Sequence, residues 1–322
     1  MTQYLIRRLL WAMVLFVAVT LVTYIIFYIV PADPARLVAG RAATTADVKR
    51  VAHLLGTDQP IYIQYLRFLK RLVIDHSLGF SYASRESINT IVLSASRVTF
   101  SLVLGGAILW MIISVPIGIL SALRPRSILD RVAMIAVLIG ISAHPVWIGY
   151  IFSYFFGFRL GWTPISGYCT FVYQGSGQCG GPTQWAYHLI LPWMTFAILF
   201  AALYVRMIRA NVMETMGEDY VRTARAKGAP EAIVMRRHVL RNALLPVVTM
   251  LGMDIAIALG GAIFTETVYG LPGLGKTAIQ GLNTYDLPVT QGVVVFASIC
   301  VILFNLIVDI LYAYIDPRIK LS

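Results

Sequence analysis

Four groups of residues in this 322-residue chain could do chemistry. Residues 270–277 read GLPGLGKT and match the phosphate-loop pattern G-x-x-x-x-G-K-[ST] letter for letter. Cys169 and Cys179 stand ten residues apart in a polar stretch, while His144 and Asp254 interrupt apolar ones. Residues 219–246, DYVRTARAKGAPEAIVMRRHVLRNALLP, form a basic insert in an otherwise apolar chain.

The phosphate-loop match fails on context. Nucleotide binding needs a buried strand before the glycines and a helix after them, so that backbone amides converge on phosphate while a separate acidic residue holds magnesium. Here the preceding residues read as a membrane span, so this chain is expected to bind no nucleotide and no other cofactor.

The loop TPISGYCTFVYQGSGQCGGPT is too rich in Gly, Ser and Pro to build a core of its own. A bond between Cys169 and Cys179 would restrict it by about 2–3 kcal/mol and is permitted in an oxidising exterior. A disulfide is therefore expected, with two free thiols as the alternative. The third cysteine, Cys300, falls inside an apolar run and reads as a small buried residue.

Asp254 lies near the middle of an apolar stretch, where a carboxylate must face a wet path or a partner, not lipid. A hydrogen-bonded packing role and a cargo-facing role both fit. Glu266 and Asp309 lie nearer span ends, where water or headgroups could solvate them. His144 precedes Pro145, which marks a kink. With no His, Cys or acidic cluster at ligand spacing, no metal site is expected. No nucleophile, base and acid constellation is present, so catalysis is not expected either.

The elements that hold these residues follow from composition. With 58% apolar and only 13% charged residues, the chain lies outside the soluble range and reads as a multi-pass protein of the lipid bilayer. The formal charge of +11 comes from Lys and Arg at the ends of apolar runs, with no basic face interleaved with aromatics, so no nucleic acid partner is implied. Six spans are expected, at about 9–30, 98–123, 132–158, 185–205, 242–265 and 287–308. The first follows Arg7 and Arg8 and is too long for a cleaved leader, so a retained helix is expected.

Arg7, Arg8, Arg124, Arg126, Arg131, the basic residues of 206–241, Arg318 and Lys320 all fall on one side, which should be the cytoplasm, with both termini there. The opposite loops, 159–184 and 266–286, carry only Arg159 and Lys276 as basic residues. The basic first loop, about 31–96, would lie outside, a placement its length tolerates. Within it a short helix over 44–55 with a Gly56 stop is expected. A second, amphipathic helix would present Ile61, Tyr65, Phe68, Leu69 and Leu72 opposite Gln64, Arg67, Lys70 and Arg71. Residues 1–96 would thus form a first helix and outer region, and 97–322 a five-helix core.

The basic insert is patterned as helix, turn, helix. Tyr220 and Ala224 are spaced i, i+4, as are Val234 and His238, and Gly228-Ala229-Pro230 supplies the break. Ala224, Ala226 and Gly228 would allow close approach of another backbone, and Arg222, Arg225 and Lys227 would give a positive rim facing an acidic partner groove.

At these residues the chain resembles the membrane permease subunits of binding-protein-dependent, ATP-driven importers, and the peptide branch in particular. DYVRTARAKG followed by RHVLRNALLPVVT is similar to their coupling loop. The likeness extends to MTQYLIRRLL, LGTDQPIYIQYLRFL, SLGFS, GGAIFTETVYGLPGLGK and NLIVDILYAYIDPRIK, and so covers nearly the whole chain.

The resemblance implies an all-α membrane fold of six transmembrane helices, the type I ABC importer permease fold. A large extracytoplasmic loop would follow helix 1, and a cytoplasmic coupling loop at about 206–241 would join helices 4 and 5. It implies a bacterial inner-membrane location and four kinds of partner: a second homologous permease, two cytoplasmic ATPases that bind the ATP and Mg, an extracytoplasmic substrate-binding protein, and lipid. Asp219, Tyr220, Arg222, Thr223, Ala224, Arg225, Ala226, Lys227 and Gly228 would be the ATPase-coupling residues, with His144 and Asp254 as candidates for the translocation path.

Arg222-Thr223 and Leu240-Arg241 depart from the general permease motif in the manner of the peptide branch. Ala143, His144, Pro145 and Trp147 stand where the branch usually has Ser, a variable residue, Pro and Phe, and Asp254 stands where an uncharged polar residue is common. Di- or oligopeptides are the implied cargo. Nickel, glutathione or another small solute is the alternative within the same architecture. An ion-driven secondary transporter using Asp254 as a proton site is the wider one, and would show an internal repeat that the sequence lacks.

Overall fold

The computed structural model describes residues 2–29, 34–39, 43–172, 179–260 and 262–315. Arg318 and Lys320, read above as orienting charges, lie outside these residues, as does the side chain of Asp309. The protein is mostly helical. Among the described residues, β pairing is confined to isolated bridges between Phe80 and Ser87 and between Thr170 and Gly180.

The chain opens with α1 (Thr2–Ile29), followed by three short helices, α2 (Pro34–Ala39), α3 (Thr45–Leu55) and α4 (Ile61–Val73). α3 starts where Thr44 and Asp47 form a reciprocal capping box and stops at Gly56, whose φ of 72° is left-handed, as the sequence anticipates. α4 is the expected amphipathic helix; its Tyr65 and Phe68 rings pack on Tyr24 of α1 at 5.6 Å each.

The remaining helices build the bundle: α5 (Ile88–Leu123), α6 (Ile128–Ser142), α7 (Pro145–Phe152), α8 (Pro182–Met216), α9 (Asp219–Ala226), α10 (Glu231–Ile233), α11 (Arg241–Ala243), α12 (Leu245–Leu259), α13 (Ile263–Val268), α14 (Leu274–Asn283) and α15 (Leu287–Ile315). Wide π turns extend α7 over Ser153–Arg159 and join α10 to α11 over Val234–Leu240. Among the described residues four helices, α1, α5, α8 and α15, are long and apolar enough to cross a membrane, and two bent pairs, each taken as one span, raise the number to six.

Four spans differ from the sequence reading, and the one read from about 98 begins ten residues earlier, at Ile88. The stretch read as one kinked helix over 132–158 breaks by 106° between Ser142 and Pro145. Pro145 cannot donate to the preceding turn, and His144 caps the new helix by accepting the Val146 amide at 3.3 Å through Nδ1. The span read as 185–205 runs on to Met216, because Ile208 and Val212 bury completely against the core while the charges point elsewhere. The loop expected from residue 206 therefore begins at Gly217. α12 is bent by 41° from the helix before it.

α5 and α8 form the spine. Trp110 of α5 is fully buried and stacks on Phe200 of α8 at 4.5 Å, with Phe196 and Tyr204 each at 5.8 Å. In lipid, burial of apolar area drives helix association weakly, so packing and interhelical hydrogen bonds must carry it. Trp193 donates to the Ser101 carbonyl at 2.9 Å, Thr195 shares a hydrogen bond with Tyr269 at 2.7 Å, and Tyr204 donates to Asp254 at 2.6 Å. Each contributes about 0.6–2 kcal/mol. The outer faces of α1 and α6 stay apolar and exposed, Leu10, Trp11, Leu138 and Ile139 among them, as a lipid-facing surface requires. Cys300 is buried and free.

Contacts sort the loops between two ends of the bundle. The C-terminal ends of α5 and α8, the start of α6 and the start of α12 meet at one end, where Arg209 reaches Asp130 and Asn211 donates to the Ala243 carbonyl at 3.3 Å. The starts of α5 and α8, the 266–277 turn and the 159–181 loop meet at the other.

Candidate functional site

The basic insert folds as helix, turn, helix. α9 is anchored by Val221, which is fully buried beside Val234 and Val239. Tyr220 accepts a hydrogen bond from Asn242 Nδ2 at 2.9 Å on its hydroxyl oxygen. Across the turn, Arg225 grips Glu231 with two hydrogen bonds, 3.1 and 2.7 Å. Thr223 caps inward, donating to the Asp219 carbonyl at 2.8 Å.

Asp219, Arg222 and Ala226 of α9, with Lys227 and Gly228 just beyond it, are exposed, while Ala224 is half-buried and packs against the core. Gly228 has a φ of 77°, and a methyl group placed on it would meet nothing within 4 Å. The turn is held from below and open from above. A short rigid helix with a positive rim can receive another protein surface; it offers no nucleophile or metal ligand set.

At the opposite end, Cys169 and Cys179 are joined by a disulfide with their Cα atoms 5.2 Å apart, as expected. Cys169 is completely buried against His188, and Gly167 donates to the Tyr269 carbonyl at 3.1 Å, so the loop is stapled to itself and to the 266–277 turn.

That turn explains the phosphate-loop likeness. Glu266, expected to be solvated at a span end, is instead fully buried. Its carboxylate accepts from Thr99 Oγ1 at 2.7 Å and from the Lys276 amide at 2.9 Å, while the Thr99 hydroxyl oxygen takes the Leu274 amide at 2.8 Å. A methyl group on Gly273 would overlap this carboxylate. Lys276 Nζ donates to the Gly270 carbonyl at 3.2 Å. The glycines thus cradle an anion, and the anion is the chain's own. Burial pushes the Glu266 carboxyl up, while the Thr99 hydroxyl and the amides pull it back.

His144 is exposed and sits edge-on to Phe264 at 5.0 Å, on the wall of a groove of about 430 Å³ between the α6–α7 break and Leu199, Phe200 and Leu203 of α8. Asp254 is not on that wall. It is half-buried and accepts a hydrogen bond from the Tyr204 hydroxyl at 2.6 Å.

One cluster escaped the sequence reading. Asp130, nearly fully buried, is gripped by Arg209 through bonds of 2.7 and 3.0 Å, by the Ser121 hydroxyl and by the Arg126 amide at 2.9 Å. It ties α5, α6 and α8 together at the end that carries α9. An acidic residue three positions after Ser127 was the available signal, since Ser127 caps α6 by accepting the Asp130 amide.

The family profile for the binding-protein-dependent transport system inner membrane component matches residues 114–321, and the profile for its N-terminal region matches residues 1–103. The chain belongs to this family. Members are non-catalytic membrane subunits of transport systems, so this transport component is not an enzyme.

The component is 35% identical to the dipeptide transport system permease protein DppB of Alkalihalophilus pseudofirmus, over 99% of this chain and 100% of the relative. It is 36% identical to the glutathione transport system permease protein GsiC of Pectobacterium atrosepticum, over 99% of both. Among solved structures, a chain of the MetNI methionine ABC transporter in inward-facing conformations matches with a TM-score of 0.56 at 18% identity, covering 70% of this component and 97% of that chain. That likeness is one of fold: a helical permease architecture of the type I ABC importers.

Proposed function

We propose that this component forms half of the pore of an ATP-driven, binding-protein-dependent importer of di- or oligopeptides, and that residues 219–228 are where a cytoplasmic ATPase docks. The observation that carries the reading is the exposure of Gly228 and its neighbours on a turn braced by Val221, Tyr220–Asn242 and Arg225–Glu231. A loop that only connected two spans would need no such bracing.

In this reading the α9 end faces the cytoplasm together with both termini, and the disulfide-closed loop faces the oxidising side. A second homologous permease supplies the other half of the pore, two ATPases hold the ATP and Mg, and an extracytoplasmic protein delivers cargo. Residues 1–96 form the first helix and outer region, and 97–322 the five-helix core. Closure of the ATPase pair moves the docked turn as a rigid body, and their differential affinity for the two pore states supplies the energy. His144, on its groove, and Asp254, bonded to Tyr204, are the candidates for the path.

The peptide assignment draws on relatives named for dipeptide and glutathione transport. Nickel or another small solute is the competing cargo, and uptake of a labelled dipeptide unaffected by excess unlabelled peptides would overturn ours. For docking, the test is Gly228→Trp in the assembled transporter. Uptake should fall more than tenfold while the permease still reaches the membrane at normal level and ATP hydrolysis stays measurable. Wild-type uptake in that variant would remove the docking role.

A further inference from the structure

The two sulfurs of the Cys169–Cys179 bond stand in unlike surroundings. Cys179 is exposed, whereas Cys169 is completely buried. His188, in the second turn of α8, faces the buried one: its Nδ1 lies 3.3 Å from Cys169 Sγ and its Nε2 3.7 Å from the same atom. The polar neighbour of Cys179 Sγ is the Tyr168 carbonyl oxygen at 3.7 Å, which has no hydrogen to give.

A second contact fixes the imidazole hydrogen. The Gln184 carbonyl stands 2.9 Å from Nδ1 and can only accept, so Nδ1 carries the hydrogen and shares it between that carbonyl and the Cys169 sulfur. While the disulfide is intact its sulfur is a weak acceptor and gains little. A thiolate in the same place gains more, because hydrogen bonds to an ionised acceptor are about twice as strong as neutral ones. A thiolate on Cys179 would face a carbonyl oxygen instead.

The rate of thiol–disulfide exchange depends on which sulfur is reached and how well the other one leaves. Here access and departure select the same direction. We infer that Cys179 is a thiol-exchange site for small aliphatic thiols of the glutathione or cysteine kind. The incoming thiol loses its proton to water and attacks Cys179 Sγ as a thiolate. A new S–S bond forms there, the old one breaks, and its electron pair leaves on Cys169 beside the His188 Nδ1–H. A second thiolate attacking the incoming sulfur frees Cys179 and releases the small disulfide, so two thiols are oxidised and both cysteines reduced.

The first step is reversible by design of the surroundings. Gln184 fixes His188 through its carbonyl and accepts the Gly180 amide at 3.0 Å on Oε1, while Gly181 donates to the Thr170 carbonyl at 3.0 Å. These bonds keep the two cysteines adjacent once the bridge is open, so the Cys169 thiolate can return to Cys179 and expel the small thiol. The exchange is independent of which cargo is carried.

The test uses the full-length chain in nanodiscs, treated with reduced glutathione, quenched in acid at successive times and mapped by peptide mass. The early adduct should be glutathione on Cys179 with a free thiol on Cys169, in about tenfold excess over the reverse. His188→Phe keeps a ring and removes the donor, and should slow opening of the disulfide by about tenfold. An early adduct on Cys169, or equal adducts on both cysteines, would overturn the site, and the wild type alone supplies that measurement if the variant does not fold. Opening as fast as wild type in a folded His188→Phe chain would overturn the role of the imidazole.

Discussion

Two glycine turns stand at opposite ends of this bundle and teach opposite lessons. At 270–277 the sequence is that of a phosphate loop, yet Glu266 already occupies the cradle, with the Lys276 amide and the Thr99 hydroxyl donating to it. At 227–230 the sequence matches no ligand motif, yet Gly228 faces open space on a braced helix. Whether a turn can receive something depends less on its letters than on whether its donors and its volume are already taken.

The strongest way to break this contrast is to fill each turn. Gly273→Val forces a side chain into the Glu266 carboxylate, and overpacking beside a buried charge should destabilise the fold by about 3 kcal/mol. Thermal unfolding of the purified protein would show it, and a midpoint equal to wild type would mean that Glu266 is not held in the cradle.

Removing the neighbouring staple is the next largest change. Cys169→Ser opens a loop of separation 10 and should cost about 2–3 kcal/mol, read as a lowered midpoint that reductant reproduces in the wild type. Gly228→Val should cost only about 1–2 kcal/mol of backbone strain, because no neighbour is displaced. Its uptake should nevertheless fall more than tenfold. Parallel losses of stability and uptake would erase the distinction between the two turns.

The smallest effect sharpens the bracing. Arg225→Gln breaks the exposed grip on Glu231 and should leave thermal unfolding unmoved, since such surface pairs contribute little. Amide exchange across α9 should rise and uptake fall by about twofold, whereas unchanged exchange would show that Val221 and the Tyr220–Asn242 bond suffice to hold the helix.

Local signals carried much of this into the sequence. Thr44 and Gly56 bounded α3, apolar periodicity placed α4, loop composition paired Cys169 with Cys179, and Gly228 marked the turn. What escaped depended on distant partners. Asp130 takes its guanidinium from Arg209, 79 residues on, a charge that in sequence reads only as an orienting one. Glu266 depends on Thr99, 167 residues before it. Pro145 announced a kink, but its 106° size depends on how α7 packs against α8 and α13, which no local pattern encodes.

α8 carries a mechanical consequence. At 1.5 Å per residue its 35 residues make a rod about 52 Å long, against an apolar layer of about 30 Å. Roughly 20 Å of it must project beyond that layer, and α9 hangs from its tip. If the rod pivots near its disulfide-stapled end, a tilt of about 10° carries the tip about 9 Å sideways, so small rotations at the stapled end correspond to large travel of α9.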